Sequence, residues 1–222
     1  MLSRDDVFTE LGIGPVWRLR ETSPSPVTPD ASPSTYTWDT LTDAVAQCTA
    51  CKLSATRTQG VLGVGGRNAD WLIIGEAPGE EEDAQGEPFV GQAGKLLDAM
   101  LAAIGLARGN NVYITNVLKS HPPGNLKPEP DEVAACRPYL LAQIELIQPK
   151  LILALGRVAA QSLLDTDEAI AHLRGRVHAF QSVPLVVTYH PAYLLRKPTD
   201  KARAWEDLCL ARRTYSSLAP ES

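Results

Sequence analysis

A carboxylate, a carboxamide and an imidazole stand just past the ends of three short apolar runs. Glu76 follows Gly75 after Trp71-Leu72-Ile73-Ile74, Asn116 follows Thr115 after Val112-Tyr113-Ile114, and His190 follows Tyr189 after a run from Pro184 to Thr188. A fourth run, Leu151 to Leu155, ends at Gly156-Arg157. The three groups suit a division of labour. A carboxylate orients water or opposes positive charge, an imidazole hydrogen-bonds to an oxygen gaining negative charge, and a carboxamide offers a donor and an acceptor together. From Gly75 to Val90, GEAPGEEEDAQGEPFV, the apolar run gives way to acidic residues and Gly/Pro turns, as where a strand ends in a site. Each residue also has a bland local role: Glu76 in a turn, Phe89 in the core, Asn116 as a loop cap, His190 as a structural residue before Pro191.

Placing these groups together requires the runs to be parallel strands. From Ala69 onward they alternate with helical patterns over 92–104, 130–147, 158–164 and 201–214, which implies a parallel sheet covered on both faces. In such a sheet ligands bind beyond the carboxyl ends of the strands, so Glu76, Asn116, Gly156 and His190 can face one crevice. Pro128-Glu129-Pro130-Asp131-Glu132 supplies a helix start, with Pro and carboxylates where the first turn favours them. Gly91-Gln92-Ala93-Gly94 opens another helix and allows close approach to a backbone or a phosphate. Ahead of this domain, residues 1–22 form an extension with a weakly helical amphipathic stretch, and 23–37 a Pro/Ser-rich linker. The expected domain spans 38–216, its first helix covers about 38–47, and 217–222 is a tail.

At 222 residues with 44% hydrophobic content, the chain suffices for one large α/β domain. It has no long apolar run and no signal-peptide core after Met1, so no membrane association and a cytoplasmic location are expected. A formal charge of −5 gives no bulk attraction for nucleic acid. A nucleic-acid surface must then be a local patch, with Lys119-Ser120-His121, Arg174 to His178 and Arg196-Lys197 as candidates.

Four cysteines occur, at 48, 51, 136 and 209. The Cys48-x-x-Cys51 pair precedes the first strand, which disfavours a thioredoxin-like role; with Cys136 it suits zinc or an iron–sulfur cluster. Cys209, in an apolar helical pattern, reads as an ordinary buried cysteine.

In order along the chain, CxxC, GEAPGEEED, EPFVGQAG, TNVLK followed by PPGN, AACRPYL and TYHPAYLLR resemble the iron–sulfur uracil-DNA glycosylases known as family 4, from about Cys48 to Arg212. The resemblance implies a three-layer α/β/α sandwich with a central four-stranded parallel sheet. It further implies a monomeric, monofunctional enzyme that flips uracil from single- or double-stranded DNA, hydrolyses its glycosidic bond and leaves an abasic site, with a 4Fe–4S cluster as cofactor. By the same resemblance Glu76, Asn116 and His190 are catalytic. Ala77, Gly79, Phe89, Glu82 and Leu194 contact substrate: Phe89 stacks on the flipped base, Glu82 positions water and Leu194 enters the vacated stack. Ala77 itself cannot act as a base. Breaking the bond develops positive charge on the sugar, which Glu76 opposes while orienting water, and negative charge on uracil O2, which His190 meets. Asn116 matches uracil's O4 and N3–H and mismatches cytosine. No lysine is placed to form a Schiff base.

One position departs from the family pattern. Cys48, Cys51 and Cys136 match cluster ligands, but the expected fourth cysteine, after the lysine of TNVLK, is Ser120. Ser120 as alkoxide, His121 or Cys209 could substitute, or the cluster could be a three-iron form; a hard hydroxyl in place of a thiolate implies a labile or incomplete cluster. Two other classes stay open: a DNA-binding relative without normal turnover, inactive or trapping uracil covalently, and a zinc-stabilised nucleotide-binding module.

Overall fold

The computed structural model describes residues 36–218. The 1–22 extension, most of the 23–37 linker and the end of the 217–222 tail lie outside the described residues. Six strands, β1 (Val64–Gly65), β2 (Trp71–Gly75), β3 (Val112–Asn116), β4 (Leu151–Leu155), β5 (Val177–Phe180) and β6 (Val183–Thr188), form one sheet in the order β1-β3-β2-β4-β6-β5. The four apolar runs are its parallel centre, β3-β2-β4-β6. Gly75 pairs with Asn116 and Leu155 with Thr188, so the strand ends that precede Glu76, Gly156 and His190 open along one edge.

The helices are α1 (Trp38–Ala46), α2 (Glu80–Gln85), α3 (Gln92–Ala103), α4 (Pro130–Ile147), α5 (Arg157–Leu164), α6 (Ile170–Leu173), α7 (Pro191–Arg196) and α8 (Lys201–Leu218). Alternation along each strand decides which face a residue serves. Ile73, Ile114, Leu153 and Val186 pack with Leu97 and Leu101 of α3, Leu194 of α7 and Leu208 of α8. Leu72, Ile74, Ile152 and Val187 pack with Leu140 and Ile144 of α4 and Leu163 of α5. Every residue of β2, β3 and β4 is buried, because both faces are covered. The result is the expected α/β/α sandwich. Among the described residues no helix is long and apolar enough to cross a membrane.

The sheet exceeds the expected four strands by two antiparallel edges, β1 on β3 and β5 on β6. β1 has only two residues, too few for any periodicity. β5 is largely exposed, and its hairpin to β6 turns through Gln181 at φ +53° rather than through a glycine, so neither carries the usual strand and turn signals.

Candidate functional site

At the carboxyl edge of the sheet lies a cavity of about 870 Å³ lined by Glu76, Phe89, Asn116, Tyr189 and His190, with Arg157 among its exposed margins. Asn116 ends β3 and is 1% exposed, yet its Oδ1 has no hydrogen-bond partner. A buried acceptor without a partner is costly, and at a pocket wall it marks where a ligand donor belongs. Phe89 and His190 face each other with ring centroids 5.5 Å apart. His190 caps α7: its Nδ1 accepts from the Ala192 N–H at 3.2 Å, which leaves the ring proton on Nε2. Burial, foremost, and the Arg196 charge lower its pKa to about 4, so the imidazole is neutral at physiological pH. Burial pushes the Glu76 carboxyl above its ordinary value, opposed by the charges of Arg157 and Lys127. Gly75 keeps the centre open, since a Cβ there would lie 2.3 Å from Asn116 Oδ1 and 2.5 Å from Phe89 Cζ.

Phe89 holds φ +58°, a conformation that bulky residues adopt only when their surroundings impose it. Arg108 donates to the carbonyls of Pro88 and Phe89 at 2.9 and 2.8 Å. Gly94 lets α3 abut the same turn, where a Cβ would sit 1.7 Å from the Phe89 oxygen. Glu82 completes the clamp, and here the expected role is corrected. Its Oε1 accepts from the N–H groups of Val90 and Gly91, and its Oε2 from that of Gly79, at 2.9 to 3.1 Å. Both oxygens are committed to backbone, so Glu82 fixes the turn that presents Phe89 rather than positioning water. Ala77 and Gly79 line the cavity. Arg108 escaped sequence reasoning; no motif links it to Phe89.

Leu194 is also corrected: it is 1% exposed in the core and cannot enter a DNA stack without unpacking α7. Of the basic candidates, Lys119 is 1% exposed and donates to Thr115 Oγ1 at 2.7 Å and to the Asn116 carbonyl at 2.6 Å, with burial lowering its pKa to about 7. Arg174 pairs with the buried Asp207 at 2.9 Å and lies over the Tyr189 ring. Lys197 pairs with Asp200. Only Arg196 of these lines the cavity, together with Arg157, which the sequence patches did not include.

The cysteines lie behind the site. Cys136 is buried with Leu53 and Leu118, and Cys51 and Ala77 pack against this cluster. Burial raises the Cys136 thiol, with Cys51 and Cys48 close enough to add to the rise. Thiolates are the chemistry an iron–sulfur cluster uses, and three such thiols lie on this side of the sheet. The fourth position differs: Ser120 is 3% exposed and its Oγ accepts from Arg57 Nη1 at 2.9 Å, while Arg57 Nη2 donates to the carbonyls of Val45, Ala46 and Cys48. The Arg57 guanidinium therefore already donates to the hydroxyl that stands where the fourth ligand is expected. His121 Nε2 is engaged by Asn125 Oδ1 at 3.2 Å, and Cys209 sits half-buried on α8, outside the cluster around Cys136. Among the described residues no three His, Cys, Asp or Glu side chains gather closely enough to hold a metal ion.

The family model for the uracil DNA glycosylase superfamily matches residues 62–209. A type-4 uracil-DNA glycosylase of Archaeoglobus fulgidus is 46% identical over 72% of this chain and 84% of its own. Those of Thermotoga maritima and Pyrobaculum aerophilum are 43% and 40% identical, covering 73% and 77% of this chain and 85% and 90% of theirs. With an unpartnered carboxamide, an aromatic platform and a neutral imidazole meeting at the carboxyl edge of an α/β/α sheet, the chain belongs to the uracil DNA glycosylase superfamily, in its type-4 group.

Proposed function

We infer that this protein is a uracil-DNA glycosylase that receives a uracil flipped from DNA and hydrolyses its N-glycosidic bond, with water as the nucleophile. The observation that carries the reading is the buried, unpartnered Asn116 Oδ1 beside the Phe89 ring. An acceptor there meets uracil N3–H, while the amide NH2 meets O4, a pattern that cytosine reverses. Phe89 supplies the stacking face that an extruded base requires. His190, neutral and carrying its proton on Nε2, donates to O2 as the departing base gains charge, and Glu76 orients water and opposes the positive charge on the sugar. The product is free uracil and an abasic site.

Single- and double-stranded DNA are both substrates in this reading, the enzyme acts as a monomer, and its location is cytoplasmic, where unpaired cysteines persist. A single-stranded oligonucleotide with one uracil, incubated with the protein and then treated with alkali, is expected to break at the uracil position and release free uracil. An intact strand with protein shifted in mass would establish covalent trapping instead, and an intact strand with unmodified protein would leave binding without turnover.

The cofactor in this reading is an incomplete or labile iron–sulfur cluster on Cys48, Cys51 and Cys136. When bound, it ties the CxxC segment to α4; the bond cleavage uses no redox step. The Arg57–Ser120 contact holds the same corner without metal. Ser120→Cys, purified anaerobically, is expected to carry severalfold more iron and acid-labile sulfide than the wild type and to retain it longer in air, because a thiolate replaces a hard hydroxyl. Equal iron in the two proteins would refute a cluster limited by this ligand.

A further inference from the structure

The corrected burial of Leu194 leaves the vacated base stack without a side chain to fill it. We propose that Leu126 is the wedge: its side chain enters the duplex where the uracil has left, and holds the flipped state open. This inference rests on the glycosylase reading and extends it to a residue outside the known motifs.

Leu126 is 69% exposed, the most exposed of the large hydrophobic residues described, and it lines the mouth of the catalytic cavity with Pro122 and Asn125. A lone exposed leucine is ordinary on a protein surface; one carried on a stiff loop at the rim of a base-flipping pocket is not placed at random. The loop is held at several points. Pro122, Pro123, Pro128 and Pro130 fix φ along it. Gly124 and Asn125 turn it through φ +64° and +54°. Asn125 donates its N–H to the Pro122 carbonyl at 3.0 Å, and its Oδ1 meets His121 Nε2 at 3.2 Å. The root of the loop is the buried pair Lys119 and Ser120. The loop also lies against the first motif, since a Cβ on Gly79 would be 3.7 Å from Asn125 Oδ1.

Next to the leucine, Lys127 is exposed, and its charge reaches Glu76. A cation beside an apolar tip suits a duplex: the cation meets phosphate while the tip enters the stack. Apolar wedges of this kind offset part of the cost of unstacking. Leu195, 44% exposed, follows Leu194 on α7 but is not among the residues lining the cavity.

The test compares Leu126→Ala, Leu195→Ala and wild type on one uracil oligonucleotide, single-stranded and in duplex opposite adenine. A single strand has no opposing stack to fill, so a wedge matters only in duplex. Leu126→Ala is expected to lose about 10- to 100-fold in duplex kcat/KM with single-strand kcat/KM within about twofold of wild type, and Leu126→Met to restore most of the loss. A uracil–guanine mismatch, which flips more easily, is expected to shrink the defect. Equal losses on both substrates would mark a merely structural leucine and overturn the proposal, as would a duplex-specific loss found in Leu195→Ala instead. A wild type active on single strands but not on duplex would also overturn it while leaving the glycosylase reading intact. A wild type active on neither removes both.

Discussion

Gly75→Ala is expected to lower single-turnover uracil excision by about 100-fold or more, while the protein still folds. Gly75 closes β2 and pairs with Asn116, and its backbone lies in a region open to alanine. Only the space is missing: the new methyl would meet Asn116 Oδ1 at 2.3 Å and Phe89 Cζ and Cε2 at 2.5 and 2.8 Å. Neither neighbour is a flexible tip. Asn116 is 1% exposed, and the Phe89 turn is clamped by Arg108 and Glu82. The clash is relieved by turning the carboxamide or the ring into the space that uracil needs. A displacement of about 1 Å at reacting groups costs about 100-fold in rate, whereas overpacking costs about 1–3 kcal/mol of stability. The rate should therefore collapse where the thermal melt moves by only some degrees. Wild-type excision by Gly75→Ala would show that Asn116 and Phe89 do not meet the base.

His190→Ala is expected to lower kcat by about 100- to 1,000-fold, the usual loss when one donor to a developing anion is removed. The pH profile identifies the role. His190 titrates at about 4, below its ordinary value of 6.5, so the ring stays neutral and its charge does not change across neutral pH. Glu76 titrates above its ordinary value of 4.5 because burial disfavours the carboxylate. As pH falls, Glu76 is protonated first and the ionised form that opposes sugar charge is lost. The acid limb of the rate thus belongs to Glu76. His190→Ala should lie parallel to wild type through that limb, and Glu76→Gln should flatten it. An acid limb that vanishes in His190→Ala would instead assign the titration to the imidazole and exclude the neutral-donor role.

Much of the architecture was legible because it is written in local pattern. The runs 71–75, 112–114, 151–155 and 184–187 are apolar, as strands buried on both faces must be, and polar or turn residues begin just past each. The start of α4 was legible for a similar reason: Glu129 caps it, Pro130 opens it and Glu132 returns a hydrogen bond at 2.8 Å. From those ends the convergence of Glu76, Asn116 and His190 followed by topology.

The sequence by itself determined the layered sheet, the strand ends whose residues line the cavity, and the serine at 120 where the family pattern has cysteine. Only tertiary structure decided what each side chain does there. A Leu-Leu pair in α7 gives no sign that Leu194 faces the core and Leu195 the solvent. An acidic run after a strand does not reveal that Glu82 spends both oxygens on backbone while Glu76 faces the cavity. Lys119 looks basic and exposed in sequence, yet it is buried against the Asn116 carbonyl. Arg57 meets Ser120 across 63 positions and Arg108 meets Phe89 across 19. Periodicity records the alternation of a chain between two faces, a property of neighbours. A buried charge or a committed carboxylate depends on partners brought together by packing, and those partners leave no mark on the sequence around it.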